Sequence, residues 1–121
     1  MPYQYILANL LARNDDAVGV VFLDGTGETV DLACCEHTPY EMRVVAAYLG
    51  ITLRQVEGFA GRLSCGEPRL VHIEKETHHI YIHPLPEGYC LALVQRRPAL
   101  VARARQSLAE AAEQLRRELF A

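Results

Sequence analysis

The stretch AVGVVFLD, residues 17–24, constrains this chain more than any other. It is an almost unbroken apolar run, rich in valine. A strand with one solvated face alternates polar and apolar residues; a strand without alternation must be covered on both faces. DGTG follows at once, a tight-turn signal because glycine tolerates positive φ. ETVDLAC then alternates Val30, Leu32 and Cys34 with Thr29, Asp31 and Ala33. That gives a second, more polar strand hairpinned to the first and expected at a sheet edge. A second apolar run, YCLALVQ (89–95), lies near the other end of the chain. The two runs are expected at the centre of one sheet, and helices must then lie on both of its faces.

Three segments supply those helices. In YQYILANLLAR (3–13), Tyr3, Ile6, Leu7, Leu10 and Leu11 are at helical spacing. HTPYE opens the second: Thr38 is placed to be the N-cap, Pro39 to take the first helical position, and Glu41 to complete a capping box. This helix is expected to run to about Leu63. Met42, Val45, Leu49, Val56, Phe59, Ala60 and Leu63 mark one apolar stripe, and Tyr40, Val44, Ala47, Tyr48 and Ile51 a second. Gly50 and Thr52 are positions where it could bend. At 1.5 Å per residue it is on the order of 40 Å long, more than a small sheet needs. A helix packed on one sheet face needs a stripe of roughly 100°. The surplus apolar surface reads as a contact surface. The third helix is expected from Pro98, with Val101, Ala104, Leu108, Ala111, Leu115 and Leu119 facing inward.

Between the second and third helices, GEP (66–68) breaks the helix, RLVHIEKE and THHIYIHP read as two strands around a charged turn, and PEG turns into YCLALVQ. The order is α-β-β-α-β-β-β-α, an α+β arrangement in a single domain over residues 1–121. Short turns within each group of strands make the pairing antiparallel.

Composition removes several function classes. A net charge of −3 argues against a nucleic-acid surface. Glu110, Glu113 and Glu118 interleave with Arg116 and Arg117, the pattern of a solvated helix face. The opening MPYQYILANLLARNDD has no basic leader, and Asn9 and Arg13 interrupt its apolar residues. Neither a signal peptide nor membrane insertion is expected, and a cytoplasmic location follows. Cys34, Cys35, Cys65 and Cys90 show no C-x-x-C spacing and read as reduced thiols. GTG (25–27) lacks the Lys-Ser/Thr of a phosphate-binding loop. No Gly-x-Ser-x-Gly elbow or His-Glu-x-x-His helix occurs, so the chain is expected to be no enzyme and to need no cofactor.

HIEKETHHIYIHP (72–84) holds four of the five histidines. Matching Val71 and Ile73 to Ile80 and Ile82 puts Ile73 opposite Ile80 and His72 opposite Tyr81. His79 and His83 then share a face with His72, and His78 points the other way. His79 and His83 are about 13 Å apart along one strand, too far to share a zinc ion whose Zn–N bonds are about 2.0–2.1 Å. His72 can converge with either. Three readings stay open: structural or surface histidines, a metal site drawn from His72, His79 and His83, and a pH-sensitive interface. The four-ligand requirement of structural zinc favours the first.

GVVFLDGTGETV, the long amphipathic helix, RLVHIE…IYIHPLPEGYCLALV and the closing helix together resemble the roadblock/dynein light chain family over nearly the whole chain. Asp24-Gly25 and PLPEGYCLAL (84–93) are the most specific pieces. Bacterial members include MglB-type proteins, which act on Ras-like GTPases. The resemblance implies a profilin-like, five-stranded antiparallel sheet in the order 2-1-5-4-3, with the first and last helices on one face and the middle helix on the other. It implies a homodimer formed by third strands pairing across a two-fold axis with the middle helices side by side, and a small Ras-like GTPase as partner. The residues expected at the partner and dimer interface are Tyr40, Arg43, Val44, Ala47, Tyr48, Ile51, Leu70, His72 and Glu74. Arg43 or Arg54 could serve as an arginine acting in trans. The alternatives are a nucleotide-independent dimeric adaptor, or a small-molecule or metal sensor on a profilin-like fold. The turn EKETHH departs from the glycine-rich turn common in the family.

Overall fold

The computed structural model describes residues 3–35 and 39–120, Ala60 by its backbone only. Helix α1 spans Gln4–Ala12, β1 Ala17–Leu23, β2 Thr29–Cys34, α2 Pro39–Arg62, β3 Val71–Glu74, β4 His78–Pro84, β5 Cys90–Arg96 and α3 Val101–Phe120. A single 3-10 turn, Pro86–Gly88, joins β4 to β5. The five strands form one sheet in the order β2-β1-β5-β4-β3, and every neighbouring pair is antiparallel. The expected order and element sequence are therefore observed. The candidate cap Thr38 and its capping box lie outside the described residues.

The two unbroken apolar runs occupy β1 and β5, side by side at the centre. Every residue of β1 is buried, as is every residue of β5 except Arg96. Alternate side chains divide between two cores. Val20, Phe22, Tyr81, Leu91 and Leu93 pack against Ile6, Leu7 and Leu10 of α1 and Ala104, Leu108, Ala111 and Leu115 of α3. Val18, Val21, Leu23, Ile82, Ala92 and Val94 pack against Met42, Ala46, Leu49 and Leu53 of α2. Each large aliphatic or Phe side chain buried in this way contributes about 1.5–3 kcal/mol of transfer free energy. On the first face, Asn14 locks the end of α1 to α3. Its Nδ2 donates to the Leu10 carbonyl and to Ser107 Oγ, both at 3.0 Å.

The third helix begins at Val101 rather than at Pro98. The Arg96 N–H donates to the Asp16 carbonyl at 2.7 Å and the Arg97 N–H to the Thr77 carbonyl at 2.9 Å. Those bonds hold the chain in the line of β5. Helical bonding is in place at the Ala104 N–H, which donates to the Leu100 carbonyl at 3.0 Å.

The two most distinctive sequence pieces meet in space. A Cβ on Gly25 would sit 3.0 Å from the Glu87 carbonyl oxygen, and one on Gly88 would sit 3.0 Å from the Gly25 Cα. Gly88 also has a positive φ of 84°, so this backbone-on-backbone contact requires glycine twice over. Asp24 ties the hairpin turn. Its Oδ1 accepts from the Thr26 N–H, the Thr26 hydroxyl and the Glu28 N–H at 2.9, 2.7 and 3.0 Å. Arg54 of α2 reaches across to donate from Nη2 to the Gly25 carbonyl at 2.8 Å.

Candidate interaction surface

Helix α2 has Pro39 at its start and Glu41 in its first turn, both favourable where the N–H groups are unpaired. Its buried apolar side chains are Met42, Ala46, Leu49 and Leu53, spaced four, three and four apart as one helix face requires. At about 100° per residue, Tyr40, Val44, Tyr48 and Ile51 lie on the opposite side, pointing away from the sheet. Tyr40 is 74% exposed and Tyr48 69%, and Val44 and Ile51 are exposed as well. Ala47 and Arg43 are exposed on the same outer surface.

The first stripe read from the sequence is only partly core. Met42 and Leu49 are buried, but Val45, Phe59 and Leu63 are exposed. Ala46 and Leu53 take the inward places instead. A helix apolar on two opposite sides satisfies the helical period in two ways, and only the sheet decides between them. Phe59 and Leu63 extend the exposed apolar surface toward the end of α2, one turn after another from Ile51 and Gln55.

The helix covers only part of its sheet face. It packs on β2, β1 and β5, while Val71 of β3 and Ile80 of β4 are only partly buried at the margin of the same core. Ile73 pairs with Ile80 and is also half-buried. These residues, read from the sequence as inward, form a half-open apolar strip beside α2. Beyond it β3 is an edge strand, paired on one side only with β4.

The expected interface residues thus fall into two groups. Tyr40, Arg43, Val44, Ala47, Tyr48 and Ile51 cluster on the outer side of α2. Leu70 packs instead with the core under α1 and α3. His72 and Glu74 alternate with Val71 and Ile73 and so also face the α3 side. The two groups lie on opposite faces of the sheet. Both arginines considered are exposed, and Arg54 donates to the Gly25 carbonyl.

The histidine hairpin has the register read from alternation: His72 opposite Tyr81 and Ile73 opposite Ile80. On the side carrying Tyr81, burial differs between the two strands: His72 on the β3 edge is exposed, whereas its partners on β4 are covered. Tyr81 is fully buried and His79 only 4% exposed, because α3 covers them. The Tyr81 hydroxyl donates to Gln95 Oε1 at 2.8 Å. His72 Nε2 and His79 Nδ1 are 2.9 Å apart, and the His72 ring stacks on Tyr81 with centroids 4.5 Å apart. Burial pushes the His72 pKa down, with His79 and Arg105 acting in the same direction and Glu74 against them. His83 turns elsewhere, its Nδ1 lying 3.0 Å from the Pro84 carbonyl. Among the described residues no group of three or more His, Cys, Asp or Glu side chains is placed to hold a metal ion. The set His72, His79 and His83 is therefore a hydrogen-bonded pair plus a separate third residue.

No family profile matches the chain, and no curated protein matches it. Solved structures do. The Roadblock/LC7 domain from Streptomyces avermitilis superposes with a TM-score of 0.84 at 22% identity, over 97% of each chain. MglB from Myxococcus xanthus superposes at 0.89 with 13% identity, over 98% of this chain and 95% of that one. An MglB with a tetrameric arrangement gives 0.86 at 18% identity, over 96% of this chain and 86% of its own. This is the roadblock fold. The likeness runs over nearly the whole length of the chain. No described helix is long and apolar enough to cross a membrane.

Proposed function

We propose that this chain is a non-enzymatic regulator or scaffold that works in the cytoplasm as a homodimer and binds a small Ras-like GTPase. The observation that carries the reading is the apolar stripe Tyr40, Val44, Tyr48 and Ile51, turned away from the sheet and exposed. A helix this apolar on its solvent side gains from a partner that removes the stripe from water. Aromatic anchors such as Tyr40 and Tyr48 are the residue type that carries binding energy at such interfaces.

The dimer reading rests on different residues. β3 has unpaired backbone groups along its outer edge, an arrangement that favours pairing with another strand. The half-open strip of Val71, Ile73 and Ile80 beside α2 offers apolar area that a second copy's α2 would cover. An isologous pairing of β3 with its own copy satisfies both needs with one two-fold axis. Self-association also accords with the MglB solved in a tetrameric arrangement.

If the dimer speeds GTP hydrolysis, it does so chiefly by positioning the GTPase's own groups. Arg54 is committed to the turn, which leaves Arg43 as the helix residue to test for a charge supplied in trans. The direct experiment immobilises the chain and offers it a purified Ras-like GTPase from the same source, loaded with GDP or with a GTP analogue. Nucleotide-dependent retention that Tyr48→Asp abolishes is the expected result. Retention indifferent to the nucleotide would favour a plain adaptor, and no retention at all would overturn the GTPase reading. Light scattering at micromolar concentration is expected to give twice the mass of one chain.

A further inference from the structure

The His72–His79 pair has no part in that reading, yet it joins the edge strand to β4 through side chains. One ring nitrogen faces the other at 2.9 Å, so one ring donates and the other accepts. Both rings lie against Tyr81, His72 at 4.5 Å and His79 at 6.0 Å between centroids. Tyr81 itself is anchored to Gln95 of β5. The strand they hold is short, four residues, with β4 as its single partner.

We propose that the pair is a proton-operated latch: with no more than one proton beyond the neutral state it clamps β3 to β4, and with both rings protonated it releases the β3 edge. An imidazole can accept a hydrogen bond only through an unprotonated nitrogen. One added proton leaves a charge-assisted N–H···N bond, which is stronger. A second leaves two donors and no acceptor across the same gap, with two positive charges facing each other.

Of the charged groups acting on His72, Glu74 favours the protonated ring, while Arg105 opposes it. On β3, Glu74 is the one nearby carboxylate, and it is already bonded to Arg97 Nη1 at 2.7 Å. On β4, Tyr81 is neutral and buried, and His83 bonds toward Pro84. On β5, Gln95 is uncharged and occupied by Tyr81. On α3, Arg105 adds positive charge to the His72 environment. Burial first, then His79 and Arg105, holds the folded pKa of His72 below its ordinary 6.5, with Glu74 acting the other way. The sign follows: the second proton is the one that releases the strand, so the latch is intact at neutral pH and is lost as the pH falls into the acid range. The latch is a property of a single chain. Its effect on assembly rests on the dimer reading above, because the released strand is the one expected to pair with its copy.

Amide hydrogen exchange read by NMR tests this on the full chain. Between pH 7.5 and 5.0, protection factors corrected for intrinsic exchange are expected to fall about tenfold or more across Val71–Glu74, while those in β1 and β5 hold. In His72→Gln, and separately in His79→Gln, the β3 protection is expected to be the same at both pH values, whether high or low. Wild-type protection that does not change with pH overturns the latch, as does an equal fall in both variants. The fall should persist with EDTA present; a fall that EDTA abolishes assigns it to metal release and overturns the proposal. Light scattering on the same samples separates the two readings. A monomer at pH 7.5 overturns the dimer but leaves the exchange result to decide the latch.

Discussion

Tyr48 and Leu49 are adjacent in sequence and similar in apolar bulk, but the structure assigns them opposite fates. Leu49 is 5% exposed against the sheet and Tyr48 69% exposed on the far side of the same helix. Truncating each to alanine therefore separates what holds the fold from what faces outward. Leu49→Ala removes three buried carbons and leaves a cavity among Met42, Ala46 and Leu53. Buried Leu→Ala changes cost about 2–5 kcal/mol, and surface changes stay within roughly 0.5 kcal/mol. Alanine also has the best helix propensity, which offsets any small loss at position 48. Urea unfolding followed by circular dichroism is the assay, with m held constant as the check that only stability has changed. Two protein concentrations are needed, because a dimer's midpoint moves with concentration. The expected result is a large drop for Leu49→Ala at both concentrations. Tyr48→Ala should leave the concentration-independent part of stability unchanged. A loss of about 2 kcal/mol or more for Tyr48→Ala at every concentration would refute the reasoning. It would place that ring inside the monomer's own packing and remove the stripe from the surface.

Three further outcomes are expected. Tyr81→Phe leaves the buried Gln95 oxygen without its donor and should cost about 1–3 kcal/mol in the same urea assay, without changing the fold. Asp24 is held below its ordinary pKa of 3.8, first by the Thr26 hydroxyl, so its contribution is present above that value and disappears as pH falls through the lower, folded one; the urea midpoints of wild type and Asp24→Ala should differ at pH 6 and converge near pH 2. Burial pushes the Cys90 thiol up to about 12, so a disulfide reagent at pH 8 should titrate as many fast thiols in native Cys90→Ser as in wild type, whereas one fewer would show Cys90 to be reactive.

Much of the architecture is legible in the residues themselves. β1 and β5 announce their central place by lacking polar alternation, and the hairpin register follows from Val71, Ile73, Ile80 and Ile82 alone. The full strand order came from the family resemblance, since nothing local in β5 states that it lies between β1 and β4. The errors have physical causes. On α2, small Ala46 carries little apolar weight, while exposed Phe59 and Leu63 carry much, so apolar spacing alone places the inward face too far round. Pro98 looks like a helix start, but Asp16 and Thr77 hold the chain extended there, and both are distant in sequence. The same distance hides Arg54's hold on Gly25, a contact spanning 29 residues. The histidines were visible as a group, but not the burial of His79, which depends on where α3 lies. Leu70, His72 and Glu74 join the α2 stripe in the expected interface through the dimer that the family resemblance implies, whereas Leu70 packs with the core under α1 and α3.

The central claim is that the outer side of α2 receives a nucleotide-bound Ras-like GTPase. Isothermal titration of such a GTPase into this chain tests it most directly, with GDP and a GTP analogue compared for wild type and Tyr48→Asp. Loss of a central aromatic anchor costs about 2 kcal/mol or more, a weakening of roughly 30-fold. The account predicts saturable binding that depends on the nucleotide and weakens at least that much in Tyr48→Asp. Binding of unchanged affinity in Tyr48→Asp would contradict it, because the partner would then sit on some other surface.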